Sequence, residues 1–228
     1  MYITIEIYKI DKTLNFRELK IIIIDTGAAN VHSVNKAVIK AGADPYISKN
    51  KSDLRNSDAV ILPGVGSSNS VMKSLNNLNL TEEIKLYARS GKPLLCICVG
   101  MQVLFDRSDE GDTNCLGIIS GKVKKFSENM MNENGRKMKI PHIGWNKIKI
   151  IQKKHNILND IPNNSYFYFV HSFFCAPKEN NNIIATTDYG IEVCAIVGNN
   201  NIIGTQFHPE KSGDIGISIY KNFINMVK

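Results

Sequence analysis

Residues 92–105 read KPLLCICVGMQVLF. Residues 93–97 are apolar enough to form a buried strand, which ends at Cys98. Gly100, two residues on, opens a predicted helix over 100–105. A strand that stops at a nucleophilic side chain and turns at once into a helix is an elbow with cysteine in the position of serine. The turn pushes the side chain out above the sheet, and the nearby helix start favours the thiolate, the reactive form of sulfur. Elbows of this kind sit at the carboxyl edge of parallel strands.

Outward from this stretch the pattern of strand, loop and helix repeats. Residues 21–24 (IIII) and 59–62 (AVIL) are continuous apolar runs of the kind buried on both faces of a parallel sheet. Asn30 can cap a helix carrying Val31, Val34, Val38 and Ala41, which Gly42 ends. Thr81 is the expected cap of a second helix with Glu82 and Glu83 in its first turn, closed by Gly91. Residues 115–200 are richer in short strands, and Ser212 is placed to cap a last helix bearing Ile215, Ile219, Phe223 and Met226. The expected fold is an α/β, doubly wound, mostly parallel sheet with flanking helices and extra short strands in the middle of the chain. In residues 1–19, Ile3, Ile5 and Ile7 alternate with polar neighbours, as in an edge strand or a simple extension. The chain thus divides into an extension, 1–19, and one domain, 20–228.

Composition narrows the function classes. No apolar run approaches the roughly 18 residues that span a bilayer, so no membrane role is expected. The N-terminus has neither signal nor transit character, which implies a cytoplasmic protein. The net charge of +7 comes from lysines scattered among asparagines and isoleucines, and no nucleic-acid-binding motif accompanies it. A solvated basic face is the expected reading, without nucleic acid as partner. The 5 cysteines contain no CxxC pair, so neither a metal site nor a disulfide framework follows. Cys115, Cys175 and Cys194 read as core residues, whereas Cys96 forms an oxidisable pair with Cys98 if both thiols are reactive.

Two further segments complete a chemical site, because ligands gather at the carboxyl ends of strands, here after residues 62, 97 and 207. In 204–210 (GTQFHPE), His208 and Glu210 are two apart and project to one side of an extended chain. Glu210 can orient one nitrogen of His208 while the other faces Cys98, the arrangement of nucleophile, base and orienter. The glycine-rich turn 63–66 (PGVG) lets backbone approach a ligand closely. It fits an oxyanion contributor, acting with the N–H of Val99, and equally an anion-binding turn or plain chain geometry.

Together these residues resemble the class I glutamine amidotransferases. Within that group the chain resembles most the glutaminase subunits of imidazole glycerol phosphate synthase. The resemblance runs from about residue 20 to the C-terminus through LPGVG (62–66), 92–105, DEG (109–111), PHIGWN (141–146), YFVHSFF (168–174) and GTQFHPEKSG (204–213). It implies Cys98 as nucleophile, His208 as base, Glu210 as orienter, and oxyanion N–H groups from Val65 and Val99. It further implies glutamine recognition by Gly66, Gln102, Glu110 and the backbone at Ser172 and Phe173, with no cofactor or metal. The implied partner is a TIM-barrel cyclase subunit in a heterodimer, receiving ammonia, with Trp145, Tyr168 and Lys211 near the docking face. Departures from the family pattern fall at Cys96 (usually glycine), Val99 (leucine), Ser68 (aromatic), Phe173 (tyrosine) and 25–30, DTGAAN. They leave open a paralogue that feeds a sugar amidotransferase, and a stand-alone cysteine hydrolase on the same fold. His142 and His171 read as satisfied structural histidines.

Overall fold

The computed structural model describes residues 19–27, 30–132 and 134–227. The alternating isoleucines at 3, 5 and 7 therefore lie outside the described residues. The first part alternates as expected: β1 (Ile21–Ile24), α1 (Val31–Lys40), β2 (Pro45–Ser48), α2 (Lys51–Arg55), β3 (Ala59–Gly64), α3 (Ser68–Asn77), α4 (Thr81–Arg89), β4 (Leu94–Cys98) and α5 (Val99–Gln102). Short strands fill the middle: β5 (Arg107–Ser108), β6 (Thr113–Asn114), β7 (Gly121–Lys125), β8 (His142–Lys147), β9 (Lys149–Ile150), β10 (Tyr166–His171), β11 (Phe173–Pro177) and β12 (Ile183–Asp188). β13 (Glu192–Asn199), β14 (Ile202–Thr205) and α6 (Gly213–Asn225) finish the chain.

An eight-stranded sheet runs in the order β2-β1-β3-β4-β14-β13-β12-β9. Pairs from β2 to β14 are parallel, and those from β14 to β9 are antiparallel. Every residue of β1, β3, β4 and β14 is buried, so both faces of the parallel half are covered. α1 packs against α6, and α4 against α2 and α3. The pair β10-β8 and the four-stranded sheet β11-β7-β5-β6 stand apart from the main sheet. No helix among the described residues is long and apolar enough to cross a membrane.

Local expectations mostly hold, with three corrections. Asn30 accepts from the Ser33 N–H at 3.2 Å, the expected cap. The helix after Cys98 is one turn, Val99–Gln102, rather than a helix reaching 105. Thr81 is the first residue of α4 and not its cap; its hydroxyl donates to Asn76 Oδ1 at 2.6 Å instead. Ser212 is the cap residue of α6 through its carbonyl, which accepts from the Gly216 N–H at 3.3 Å, but its hydroxyl does not cap, being engaged by the Tyr168 N–H and the His208 carbonyl.

Candidate active site

β3, β4 and β14 are adjacent and parallel, so their carboxyl ends share one edge. Gly64 is level with Cys98, and Ile97 with Thr205. This register puts the 63–66 turn, the elbow and the 204–210 segment together. The elbow is sharp: Cys98 has φ 55° and ψ −111°, a conformation that a residue with a side chain adopts only under strain. Two glycines make room for it. A Cβ on Gly100 would meet the Leu62 carbonyl oxygen at 2.1 Å, and one on Gly64 would meet the Gly100 nitrogen at 2.6 Å. Either glycine replaced by alanine would force β3 and the start of α5 apart.

His208 is fastened by its backbone. Its N–H donates to the Tyr168 carbonyl at 3.0 Å, and its own carbonyl accepts from the Ser212 hydroxyl at 2.7 Å. The same hydroxyl accepts from the Tyr168 N–H at 3.0 Å, so β10 holds the segment at two points. The imidazole Nδ1 lies 2.7 Å from Glu210 Oε1, and Tyr220 donates to the second carboxylate oxygen at 3.4 Å. Glu210 accepts only, which assigns the proton to Nδ1 and turns the other ring nitrogen to its remaining partner, the Cys98 sulfur. Burial opposes charge on this ring. The charge and hydrogen bond of Cys98, with the Glu210 carboxylate, outweigh that and raise the imidazole to about 10. These surroundings favour the protonated imidazole.

A cavity of about 360 Å³ opens over the sulfur, a size suited to a small metabolite. Cys98, His208, Val65, Val99, Gly66, Gln102, Glu110, Ser172 and Phe173 all border it. Among the catalytic and substrate-binding residues expected from sequence, only Glu210 does not border the cavity; it lies against His208 Nδ1. Glu110 accepts from the Ser68 N–H at 2.7 Å. Gln102 is inward-facing, its amide donating to the Phe173 carbonyl at 3.1 Å and to Gln206 Oε1 at 3.3 Å. Two departures from the family pattern thereby acquire explanations. At Phe173 the backbone carbonyl, which any residue would supply, accepts from Gln102 and His171. Ser68 organises both Glu110 and Gln102, since its hydroxyl donates to Gln102 Oε1 at 3.5 Å. Cys96 is fully buried and its thiol is pushed well up by desolvation, which argues against the expected oxidisable pair.

His142 and His171 are satisfied core histidines. The Phe173 carbonyl accepts from His171 Nδ1 at 2.8 Å, which leaves His171 Nε2 to accept from His142 Nδ1 at 3.0 Å. Asn146 then donates to His142 Nε2 at 3.4 Å, a chain in which each ring is neutral. Burial accordingly lowers His142 to about 3 and His171 to about 4. Sequence reasoning overlooked Gln206, whose amide reaches Cys98 Sγ at 3.9 Å. The signal was there: Gln206, His208 and Glu210 are successive alternate residues.

The profile of the glutamine amidotransferase class-I family matches residues 22–226. The chain belongs to that family. Among similar proteins, the imidazole glycerol phosphate synthase subunit HisH of Methanosarcina barkeri is 46% identical over 210 residues, covering 91% of this chain and 98% of that one. The subunit of the same description from Dehalococcoides mccartyi is 42% identical over 207 residues, covering 90% and 97%. Solved structures with the same fold include PurLQS from Thermotoga maritima, with a TM-score of 0.69 at 18% identity, covering 92% of this chain and 100% of that one. A putative GMP synthase subunit from Thermoplasma acidophilum superposes with a TM-score of 0.67 at 21% identity, covering 92% and 94%.

Proposed function

We propose that this chain is the glutaminase subunit of an imidazole glycerol phosphate synthase, working in the cytoplasm and delivering ammonia to a TIM-barrel cyclase in a heterodimer. The observation that carries the proposal is His208 set between the Cys98 sulfur and the Glu210 carboxylate, at 2.7 Å from the latter, under the cavity. Relatives of that description at 42–46% identity over nearly their whole length favour this acceptor over a sugar amidotransferase.

In this mechanism the Cys98 thiolate attacks the γ-carboxamide carbon of glutamine. A C–S bond forms, and the developing oxyanion is held by the N–H groups of Val65 and Val99. His208 hands its proton to the leaving nitrogen as the C–N bond breaks, releasing ammonia. Water then attacks the γ-glutamyl thioester while His208 takes its proton; the C–S bond breaks and glutamate departs. Glu110 suits the α-ammonium of the substrate, with Gly66, Gln102 and the backbone at Ser172 and Phe173 completing recognition.

The docking face of this reading is the outer side of β8 and β10. Ile143 and Trp145 are 58% and 55% exposed, and Tyr166 is exposed beside them. Exposed apolar side chains clustered on one strand pair mark an interaction surface. Lys211 sits over the Tyr168 ring at 5.8 Å, and Lys211 and Val170 border both this face and the cavity.

The test is a glutaminase assay of the purified chain with and without a cyclase subunit. Slow hydrolysis alone and acceleration on adding the cyclase and its acceptor are expected. Cys98→Ala should abolish glutamine-dependent synthesis and spare synthesis from added ammonia. Equal rates with and without the cyclase would overturn the subunit assignment.

A further inference from the structure

Gln206 is fully buried just after β14, and its amide orientation follows from its neighbours. The Phe173 carbonyl can only accept, so the Gln102 amide nitrogen faces it at 3.1 Å. The same nitrogen therefore offers its second N–H to Gln206 Oε1 at 3.3 Å. Gln102 Oε1, facing the Ser68 hydroxyl at 3.5 Å, agrees with this direction. The Cys175 thiol also donates to Gln206 Oε1, at 3.9 Å. With its oxygen committed to two donors, Gln206 turns its NH2 to Cys98 Sγ at 3.9 Å. The reversed amide would set two NH2 groups against each other and remove the acceptor of the Cys175 thiol.

We propose that Gln206 is a further catalytic residue: its amide N–H donates to the Cys98 sulfur and stabilises the thiolate from the side opposite the cavity. This deepens the assignment of Cys98 as nucleophile and rests on it. Cys98 is only 3% exposed, so an anion there needs donors that water does not supply. His208 supplies one with a charge. Gln206 supplies another without a charge, and a hydrogen bond to an anion is about twice as strong as one between neutral groups. The donor acts twice in a turnover. It raises the thiolate fraction before attack, and it stabilises the negative charge on sulfur when the thioester C–S bond breaks and its electron pair returns to that atom. Gln206 does not border the cavity, so glutamine binding is not its task.

The experiment is the pH dependence of iodoacetamide alkylation at Cys98, followed by mass spectrometry on the full chain. Wild type, Gln206→Met and Gln206→Glu are compared, with thermal unfolding as the check on folding. For Gln206→Met, the pH of half-maximal alkylation should rise by about one unit, a roughly tenfold slower reaction on the acidic limb. Gln206→Glu should move it further, because a carboxylate beside the sulfur repels the thiolate. KM for glutamine should stay within about twofold in Gln206→Met, while kcat falls. A folded Gln206→Met variant with an unchanged alkylation profile overturns the proposal. Wild-type Cys98 that resists alkylation at every pH overturns the nucleophile assignment itself, a separate failure.

A second measurement does not depend on the variants folding. The side-chain amide resonance of Gln206 in the wild-type chain should shift with the alkylation midpoint and should not titrate in Cys98→Ala. A resonance insensitive to pH in the wild type overturns the proposal.

Discussion

His208 and His171 border the same cavity and are almost inaccessible to water, yet their surroundings drive their rings in opposite directions. His208 has the Cys98 sulfur on one side and the Glu210 carboxylate on the other; burial opposes its charge, but these two partners outweigh it and raise the ring to about 10. His171 has a carbonyl on one side and a neutral ring on the other; burial lowers it to about 4, and the Phe173 carbonyl offsets that only in part. A charge on His208 lowers His171 further, so only one of the two rings is protonated at neutral pH. Burial opposes charge on both rings, and only at His208 do the partners outweigh it. In the proposed mechanism the first ring moves a proton, whereas the second holds the cavity wall at Phe173.

Substitutions at the two rings should separate these roles. The largest effect is expected for His208→Ala, which removes both base and acid. Its glutaminase kcat should fall by up to about 10⁴-fold with little change in thermal stability, measured by ammonia release. Glu210→Gln keeps a hydrogen-bonding group but removes the charge behind the ring, and its kcat should fall on the order of 10²-fold. An unaltered rate in Glu210→Gln would mean the ring needs no orienter.

Cys98→Ala should lower the His208 titration, read by ring NMR, because two of the interactions raising it come from the sulfur. An unshifted ring would deny the contact between them. The smallest effect on chemistry is expected at the neutral pair. His171→Phe leaves His142 without its acceptor and should cost about 1–3 kcal/mol of stability, with kcat affected less than in the His208 variant.

The neutral pair also predicts a pH dependence. Unfolded histidines take up protons below about 6.5, whereas folded His171 does so only near 4. Stability from this ring is complete above 6.5 and declines as pH falls through that window, by about 1.4 kcal/mol per pH unit. His142 adds in the same direction. Urea unfolding at pH 7 and pH 5 checks it: His171→Phe should lose less between the two than wild type.

Much of the site was legible because its parts are local. Cys98 and Gly100 lie on one turn, and His208 and Glu210 on one extended segment, so spacing and sterics sufficed. α3 was harder to see: SNSVMKSLNN carries only three large apolar residues, and its course depends on docking against α4 and α5. The edge strands β2 and β9 are too short to leave a pattern. Ser68 looked like a departure from a family motif until its partners, Gln102 and Glu110, stood beside it.

The amino-acid sequence by itself determined the buried runs at 21–24 and 59–62, the elbow at Cys98 and the spacing of His208 to Glu210. Those features come from steric and periodic rules that act within a few residues. Only the tertiary structure decided that β14 lies beside β4, that β10 and β11 wall the cavity, and that Gln206 meets a sulfur 108 residues earlier. Contacts of that separation are selected by the packing of the whole chain, where each buried polar group must find a partner and few arrangements satisfy them all.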